Sequence, residues 1–529
     1  MKKNFKILLV DAPQSVWRWF DGTLPSPALA ILASYTKTLY EVGVIDLNVD
    51  KTPWVSLKKR LSEFAPDLIA LPCTHTCHVN EVCAALLMIR KYAPQTLVCG
   101  GGIHFKVFQK QYIESGLVDF IATGEGELTF SQLCRALSDF KQASSAMPSK
   151  GVNFQNQAQA QVQALSTEEK YGALKAIDGL AFMYNGVAFQ TAPRAHIKNL
   201  DKIPFPSYEL FPMGHYKIPI YGGNETFGIT FGRGCANRCC FCSESYGWDY
   251  TLRRNSPEYA VRHIELLRDN YKRTTFIFAD TDFLFNRRWV EEFIDIIKQR
   301  KVKIKFHIQT SCVSIIKNES LVPELKKIGL FEIMLGTESP FQNVLNKLKS
   351  FPVNQKTMIK AMQIVKKYGI LLMAMMFWGT EYDDAETLRE GLKFFDKYAD
   401  ITCPNVMTPY PGTPLYEELR QKGKIYIDDL SVYDQAHVIV PAGDMSYAQT
   451  RFTYEMGLLR HYNLNPFYYA GLFSKNKFLR INYLHFTKLI WLNAFEGFMN
   501  PVRYHKKLFA ESEYESVMGE KWEGGYSGF

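Results

Sequence analysis

The 529-residue sequence contains no run of about 18 apolar residues, which excludes a transmembrane helix. Its start, Met1-Lys2-Lys3-Asn4-Phe5-Lys6 and then Ile7 to Val10, holds too short an apolar run for a secretory signal. No block of like charge stands out. The 62 Lys and Arg against 53 Asp and Glu leave a net +9, too diffuse to favour nucleic acid as a partner. The 11 cysteines are odd in number and cluster near other polar groups. That argues against a secreted disulfide framework and for reduced thiols or metal ligands in a cytoplasmic protein. With 47% hydrophobic and 22% charged residues, the chain is globular rather than disordered or fibrous. At roughly 150 residues per domain, its length suggests about three domains.

Lys6-Ile7-Leu8-Leu9-Val10 breaks at Asp11-Ala12-Pro13, as a buried strand does before a loop. Further strands are predicted over Val42 to Leu47, Leu68 to Leu71, Leu97 to Cys99 and Phe120 to Ala122. Helices are predicted over Ala28 to Tyr40, Leu57 to Phe64, Val82 to Tyr92 and Leu128 to Phe140. This alternation implies right-handed βαβ units and an open, doubly wound parallel sheet over residues 1–140. Such sheets bind ligands at the carboxyl ends of their strands, here Asp11 to Ser15, Pro72 to His78, Gly100 to His104 and Thr123 to Glu127.

Residues 141–225 read as insertion and linker. The stretch Gln155 to Gln163 is polar and low in complexity, a tolerated surface insertion. Ile177 to Gln190, with its Asn185-Gly186 turn, reads as a hairpin, and Ile203-Pro204-Phe205-Pro206 as a stiff linker. Over 226–446 strands are predicted at Phe227 to Phe231, Thr275 to Phe278, Lys303 to Gln309, Glu332 to Leu335, Leu371 to Phe377 and Ile401 to Val406, with helices between. Six such units are too few for a full barrel but suit a partial (β/α)6 one. Residues 447–529 are helical in pattern, basic and aromatic.

Gly232-Arg233-Gly234-Cys235-Ala236-Asn237-Arg238-Cys239-Cys240-Phe241-Cys242 carries the most information. Cys235, Cys239 and Cys242 follow C-x3-C-x2-C in the loop after the first barrel strand. That spacing can aim three thiolates at three corners of a 4Fe–4S cluster, leaving the fourth iron for a small molecule. The alternatives are chance clustering or a zinc site, which would still need a fourth ligand that no downstream C-x2-C supplies. Cys240 should point elsewhere.

The segment is similar to the signature of radical S-adenosylmethionine (SAM) enzymes, including the aromatic Phe241. Ala279-Asp280-Thr281-Asp282, Leu335-Gly336-Thr337-Glu338-Ser339 and Trp378-Gly379-Thr380-Glu381 resemble the family's later strand ends. Pro409-Tyr410-Pro411-Gly412-Thr413-Pro414 resembles that of the subgroup with an N-terminal cobalamin domain. The resemblance implies SAM contacts at Phe241, Asp280, Glu338, Ser339 and Gly379. Glu338 could contact the SAM amine or ribose, or cap the helix after Ser339. The implied chemistry is one-electron cleavage of SAM to methionine and a 5′-deoxyadenosyl radical that abstracts hydrogen from unactivated carbon, with the protein orienting the reactants and excluding water and oxygen.

Residues 1–140 resemble the subgroup's cobalamin-binding domain, on the strand ends, Gly101-Gly102-Ile103-His104 and Thr123-Gly124-Glu125-Gly126-Glu127. The implied cobalamin contacts are Pro13, Thr74, His75, Thr76, Gly101, Gly102, His104, Gly124, Glu125 and Gly126. Glycines at 100–102 would let backbone approach a flat ligand closely. The D-x-H-x-x-G of cobalamin mutases is absent: Asp11 is followed by Pro13 where the histidine would be and Val16 where the glycine would be. A base-off cobalamin without a histidine ligand is expected. His104 reads as a packing residue rather than an axial ligand. Cys73-Thr74-His75-Thr76-Cys77-His78 has metal-ligand types, but lies where the family packs small polar residues against cobalamin's lower face.

The C-terminal region, with Phe467-Tyr468-Tyr469, Phe478, Tyr483, Phe486, Trp491, Phe495, Phe498 and Tyr504, reads as a helical cap across the open side of the barrel. A substrate lid, or a face resting on a membrane, stays open as an alternative. The resemblance implies a cobalamin-dependent methyltransferase acting on an unactivated carbon or phosphorus centre of a small molecule, which can be apolar or lipid-like. A flavodoxin- or ferredoxin-type reductant would supply electrons. The alternative within the same architecture is a radical oxidative cyclase or rearrangement enzyme of the magnesium-protoporphyrin ester cyclase type. A non-catalytic sensor would need an output module, and no nucleic-acid-binding motif appears.

Overall fold

The computed structural model describes residues 3–14, 23–146, 167–221, 223–350, 352–464, 469–484, 487–488, 491 and 508–522. The glutamine-rich stretch 155–163, Ser15, Val16, Phe467, Tyr468, Phe486, Phe495, Phe498 and Tyr504 lie outside them. No described helix is long and apolar enough to cross a membrane.

The N-terminal sheet contains β1 (Lys6–Asp11), β2 (Glu41–Asp46), β3 (Leu68–Pro72), β4 (Leu97–Gly101) and β5 (Phe120–Ala122), in spatial order β2-β1-β3-β4-β5 and all parallel. Helices Pro27–Thr36 and Gly126–Ala146 bury Leu29, Ala33, Phe130 and Leu133 on one face. Helices Pro53–Phe64 and Val79–Tyr92 bury Trp54, Leu57, Val82 and Leu86 on the other. Burial on both faces is why β1 and β3 read as nearly unbroken apolar runs. The strand order reverses between β1 and β3, so the ligand crevice of this sheet lies at Asp11 and Pro72–His78.

The hairpin predicted in the linker is instead part of this sheet. β6 (Leu180–Tyr184) pairs antiparallel with β5, and β7 (Val187–Gln190) closes the edge. Asn185 and Gly186 both take positive φ (50° and 81°), as the two-residue turn requires. The first domain therefore continues past residue 140, because a lone hairpin cannot bury its apolar face and docks where β5 leaves an open edge.

The second sheet starts at β8 (Thr226–Ile229), after which the short strands β9 (Gly232–Arg233) and β10 (Arg253–Arg254) form an antiparallel ladder of their own. It continues through β11 (Thr275–Phe278), β12 (Lys305–Ser311), β13 (Leu330–Glu338), β14 (Leu371–Trp378) and β15 (Ile401–Val406). These six strands are parallel in chain order, a half-barrel open between β8 and β15. An aromatic layer of Phe231, Phe278, Phe283, Trp289, Phe293 and Phe306 packs its first helices against the sheet. Its amino-terminal end is closed by a buried network in which Glu332 accepts from Tyr221 Oη (2.6 Å) and pairs with His307 Nδ1 (2.8 Å).

The C-terminal region is not a single cap. Tyr454 and Tyr483 donate hydroxyls to the Pro404 and Asp400 carbonyls (3.2 and 2.9 Å), so residues 447–464 and 469–484 line the β15 edge. Helix Glu511–Met518 returns to the first domain. There Glu513 accepts from the backbone N–H of Trp54 and Val55, and the Trp54 indole donates to the Phe509 carbonyl at 2.7 Å. The Trp54 and Tyr514 rings meet edge to face at 5.4 Å. Trp54→Ala should cost about 3–5 kcal/mol in urea unfolding of this domain and release the C-terminal helix to proteolysis. Unchanged unfolding and proteolysis would mean that the docking carries no energy.

Candidate active site

The cysteine loop is held from three sides. The β9–β10 ladder ties its two ends together. At its start Gly234 has φ 82°, and a Cβ there would stand 2.0 Å from the Thr251 carbonyl oxygen, so only glycine fits. From the end of β11, Thr281 Oγ1 donates to the Gly234 carbonyl at 2.9 Å, and Asp280 accepts from Phe231 N at 3.1 Å. Asp280 is buried with its carboxylate 3.4 Å from Arg254 Nε. It is a clasp under the loop.

Cys235 and Cys242 are half-buried and Cys239 is buried, with Cys242 within electrostatic reach of both others. Burial raises the Cys235 thiol and pushes Cys239 up to about 11, against the pull of the Lys349 ammonium. Among the described residues, no three His, Cys, Asp or Glu side chains converge closely enough to hold one metal ion. Three sulfurs spread over one loop instead suit a cluster, which takes one thiolate per iron and leaves the fourth iron open. Cys240 turns away: its thiol donates to the Lys347 carbonyl at 3.3 Å and its N–H to Leu348 O at 3.2 Å.

The expected SAM residues lie around this loop. The Phe241 ring meets that of Phe377 at 4.9 Å. Gly379, with φ 101°, donates its N–H to Asp383 at 3.1 Å, and Ser339 Oγ accepts from Phe341 N at 3.2 Å. Glu338 does not cap the following helix. It sits at positive φ (59°) where the β13–β14 register shifts, and its carboxylate meets Lys349 Nζ at 2.6 Å. Both side chains are buried, so each charge requires the other. Nothing in sequence singled out Lys349, 11 positions downstream of its partner.

The ligand edge of the first sheet faces this loop. Thr74 and His75 are exposed beyond the end of β3, and the protein packed around His75 holds its pKa below the usual imidazole range. Thr76 is buried, in the turn Thr76–His78 that packs on Leu430–Val432. Pro13 is buried beyond β1. Gly124 (φ 91°) has no neighbour where a side chain would stand, and Gly126 opens its helix. Gly101 leaves its Cβ position 3.9 Å from Ala122 O. The neighbouring glycines make room for protein: a Cβ at Gly100 would strike Phe105, and one at Gly102 would lie 2.6 Å from Cys73 O. His104 is buried against Tyr112 Oη at 3.0 Å, with its pKa pushed down to about 3 by burial.

Glu125 does something else. Its carboxylate takes Arg233 at 2.6 Å, Arg253 at 2.9 Å and the Ile197 N–H, while Glu127 takes the other arm of Arg233. Burial alone would raise the Glu125 pKa, but Ile197, Arg253 and Arg233 hold it below the usual carboxylate value. These contacts, with Lys106 over the Tyr246 ring (5.5 Å), lock the first sheet's carboxyl edge onto the cysteine loop. The Arg233 inside the glycine–cysteine motif and the Arg253-Arg254 doublet were the available signals for this junction.

This is a half-barrel iron–sulfur enzyme with a second ligand-binding sheet closed over its cluster loop. A model of the radical SAM superfamily matches residues 229–391, and one of the B12 binding domain matches residues 18–134. The chain thus carries a radical SAM domain and a B12 binding domain, with SAM, a 4Fe–4S cluster and cobalamin as the cofactors these imply. An uncharacterized methyltransferase of Pyrococcus horikoshii is 27% identical over 78% of this chain and 83% of its own. The anaerobic magnesium-protoporphyrin IX monomethyl ester cyclase of Rubrivivax gelatinosus is 26% identical over 90% of this chain and 80% of its own. The radical SAM methyltransferase TsrM of Kitasatospora setae, solved with cobalamin and a 4Fe–4S cluster, has a TM-score of 0.66 at 16% identity, covering 94% of this chain and 100% of that one.

Changing Cys235, Cys239 or Cys242 singly to Ala should abolish SAM cleavage and the iron–sulfur absorbance of reconstituted protein. Full activity in any of the three would overturn the cluster assignment. A second expectation comes from the crevice, where Asp11 pairs in register with Asp46. Burial, and then Asp46, push the Asp11 pKa well above the ordinary 3.8. Ionising it in the folded state therefore costs stability above that pKa, and the cost disappears once it is protonated in both states. Asp11→Asn should raise the melting temperature at mildly alkaline pH, with the gain fading as pH falls towards 3.8. A gain independent of pH would refute this account.

Proposed function

We propose that this enzyme is a cobalamin-dependent methyltransferase acting on an unactivated carbon or phosphorus centre of a small molecule, with electrons from an external one-electron donor. The observation that carries the reading is the closure of the cobalamin-type ligand edge directly over the cysteine loop through Glu125, Arg233 and Arg253. Bound there, cobalamin supplies a methyl carrier, and the cluster with SAM supplies one-electron chemistry. The chain's part is to hold both around one cleft. Cys235, Cys239 and Cys242 hold the cluster. Glu338, whose Oε1 meets Lys349 while Oε2 keeps no hydrogen-bond partner, offers a carboxylate oxygen beside Cys239 to the amine of SAM's amino-acid end. Thr74 and His75 line the wall on the cobalamin side. Tyr410, half-buried near Cys77 and Cys242, accepts from Gln435 Nε2 at 3.2 Å and stands in the seam between the two sides.

A radical cyclase or rearrangement enzyme is the second reading, favoured by the cyclase relative that spans 90% of this chain. Product analysis separates the two. Anaerobic, reconstituted protein is supplied with cobalamin, reductant and SAM deuterated in its methyl group. Equal S-adenosylhomocysteine and 5′-deoxyadenosine, with label appearing in an acceptor, is the expected outcome. Deoxyadenosine without S-adenosylhomocysteine would replace methyl transfer with cyclisation or rearrangement.

A further inference from the structure

We propose that the face formed by Phe473 and the helix beginning at Lys477 docks on an anionic lipid bilayer surface. Residues 477–484, 487–488 and 491 are helical. Arg480 and Leu484 are four apart and share one face, and Lys488 and Trp491 further along are exposed like them. Leu484 and Trp491 are 55% and 53% exposed, and Phe473 is 86% exposed. Arg480 reaches the Ser474 carbonyl, which places Phe473 beside this stripe. The opposite face is spent on the barrel, where the Phe478 ring stacks on Phe331 at 4.2 Å and Tyr483 donates to Asp400 O. Large apolar side chains flanked by cations, on a helix already anchored behind, are the pattern of an interfacial membrane contact.

Charge names the occupant. Between Glu455 and Glu496 the chain has no acidic residue, while Arg460, Lys475, Lys477, Arg480 and Lys488 lie in that interval. An acidic electron carrier could also answer these cations, but the location argues against one. Phe331 stands near the amino-terminal end of β13 and Glu338, next to the cysteine loop, at the other, so the patch lies roughly 23 Å from the cluster end. Because Tyr221, Glu332 and His307 close that end of the barrel, the surface anchors the enzyme rather than passing substrate through it.

The test is co-sedimentation of the full-length holoprotein with vesicles of phosphatidylcholine alone or mixed with phosphatidylglycerol. Binding to the anionic vesicles only, weakening with salt, is expected. The triple change Lys475→Glu, Lys477→Glu and Arg480→Glu should lower the bound-to-free ratio at least about tenfold. Phe473→Glu with Trp491→Glu should lower it independently, with unchanged melting temperature and SAM cleavage in both variants. Failure to sediment with anionic vesicles, or triple-variant binding equal to that of the parent, would overturn the proposal. Protection of this patch by flavodoxin in place of vesicles would also overturn it, by assigning the surface to the electron donor.

Discussion

The arrangement of this enzyme depends on one buried carboxylate. Glu125 lies at the ligand edge of the N-terminal sheet, and both arginines it binds flank the cysteine loop of the other domain. With a side chain 1% exposed, it cannot leave those partners for water, and removing one member of such a buried network costs about 3–5 kcal/mol. The interaction is therefore strong enough to set how the two domains meet. Parallel sheets present their ligand ends on one edge, and the Glu125 clamp turns those two edges towards each other. It acts together with a buried core shared by the two sheets and with the Tyr216 hydroxyl, which donates to Asp46 at 2.5 Å.

The cysteine loop shows the same economy of supports. Glycine at 234 accepts a backbone conformation other residues avoid, and the β9–β10 ladder and Asp280 fix the loop's ends. Asp280 thereby has a structural task that its position at a strand end alone would not reveal. Glu338 holds a left-handed conformation where the β13–β14 register slips. Strain of that kind costs of order 1–3 kcal/mol and persists where the surroundings enforce it, here through the buried Lys349.

Much of the fold was legible in the sequence. Thr275–Phe278 coincides with its predicted limits, since a buried strand of a parallel sheet is a short apolar run bounded by turn residues, and Ile401–Val406 coincides as well. The cysteine spacing, the glycine before it and the family signature were equally local. The hairpin at 180–190 was recognised as a hairpin but not as part of the first sheet, because its turn is local and its partner strand β5 lies nearly 60 residues earlier. The tail was misread as one cap, since nothing in its aromatic pattern distinguishes packing on β15 from packing on Trp54.

By itself, then, the sequence determined the two sheets, the half-barrel and the three cluster thiols, all of which follow from residues close together along the chain. Only the tertiary structure decided that Glu125 joins domains, that Glu338 pairs with Lys349, that Gly100 and Gly102 make room for protein, and that the C-terminal helix returns to Trp54. The physical reason is common to them. A charge or a missing side chain acquires its role from whatever packs against it, and in each case that neighbour is set by how the chain folds back on itself.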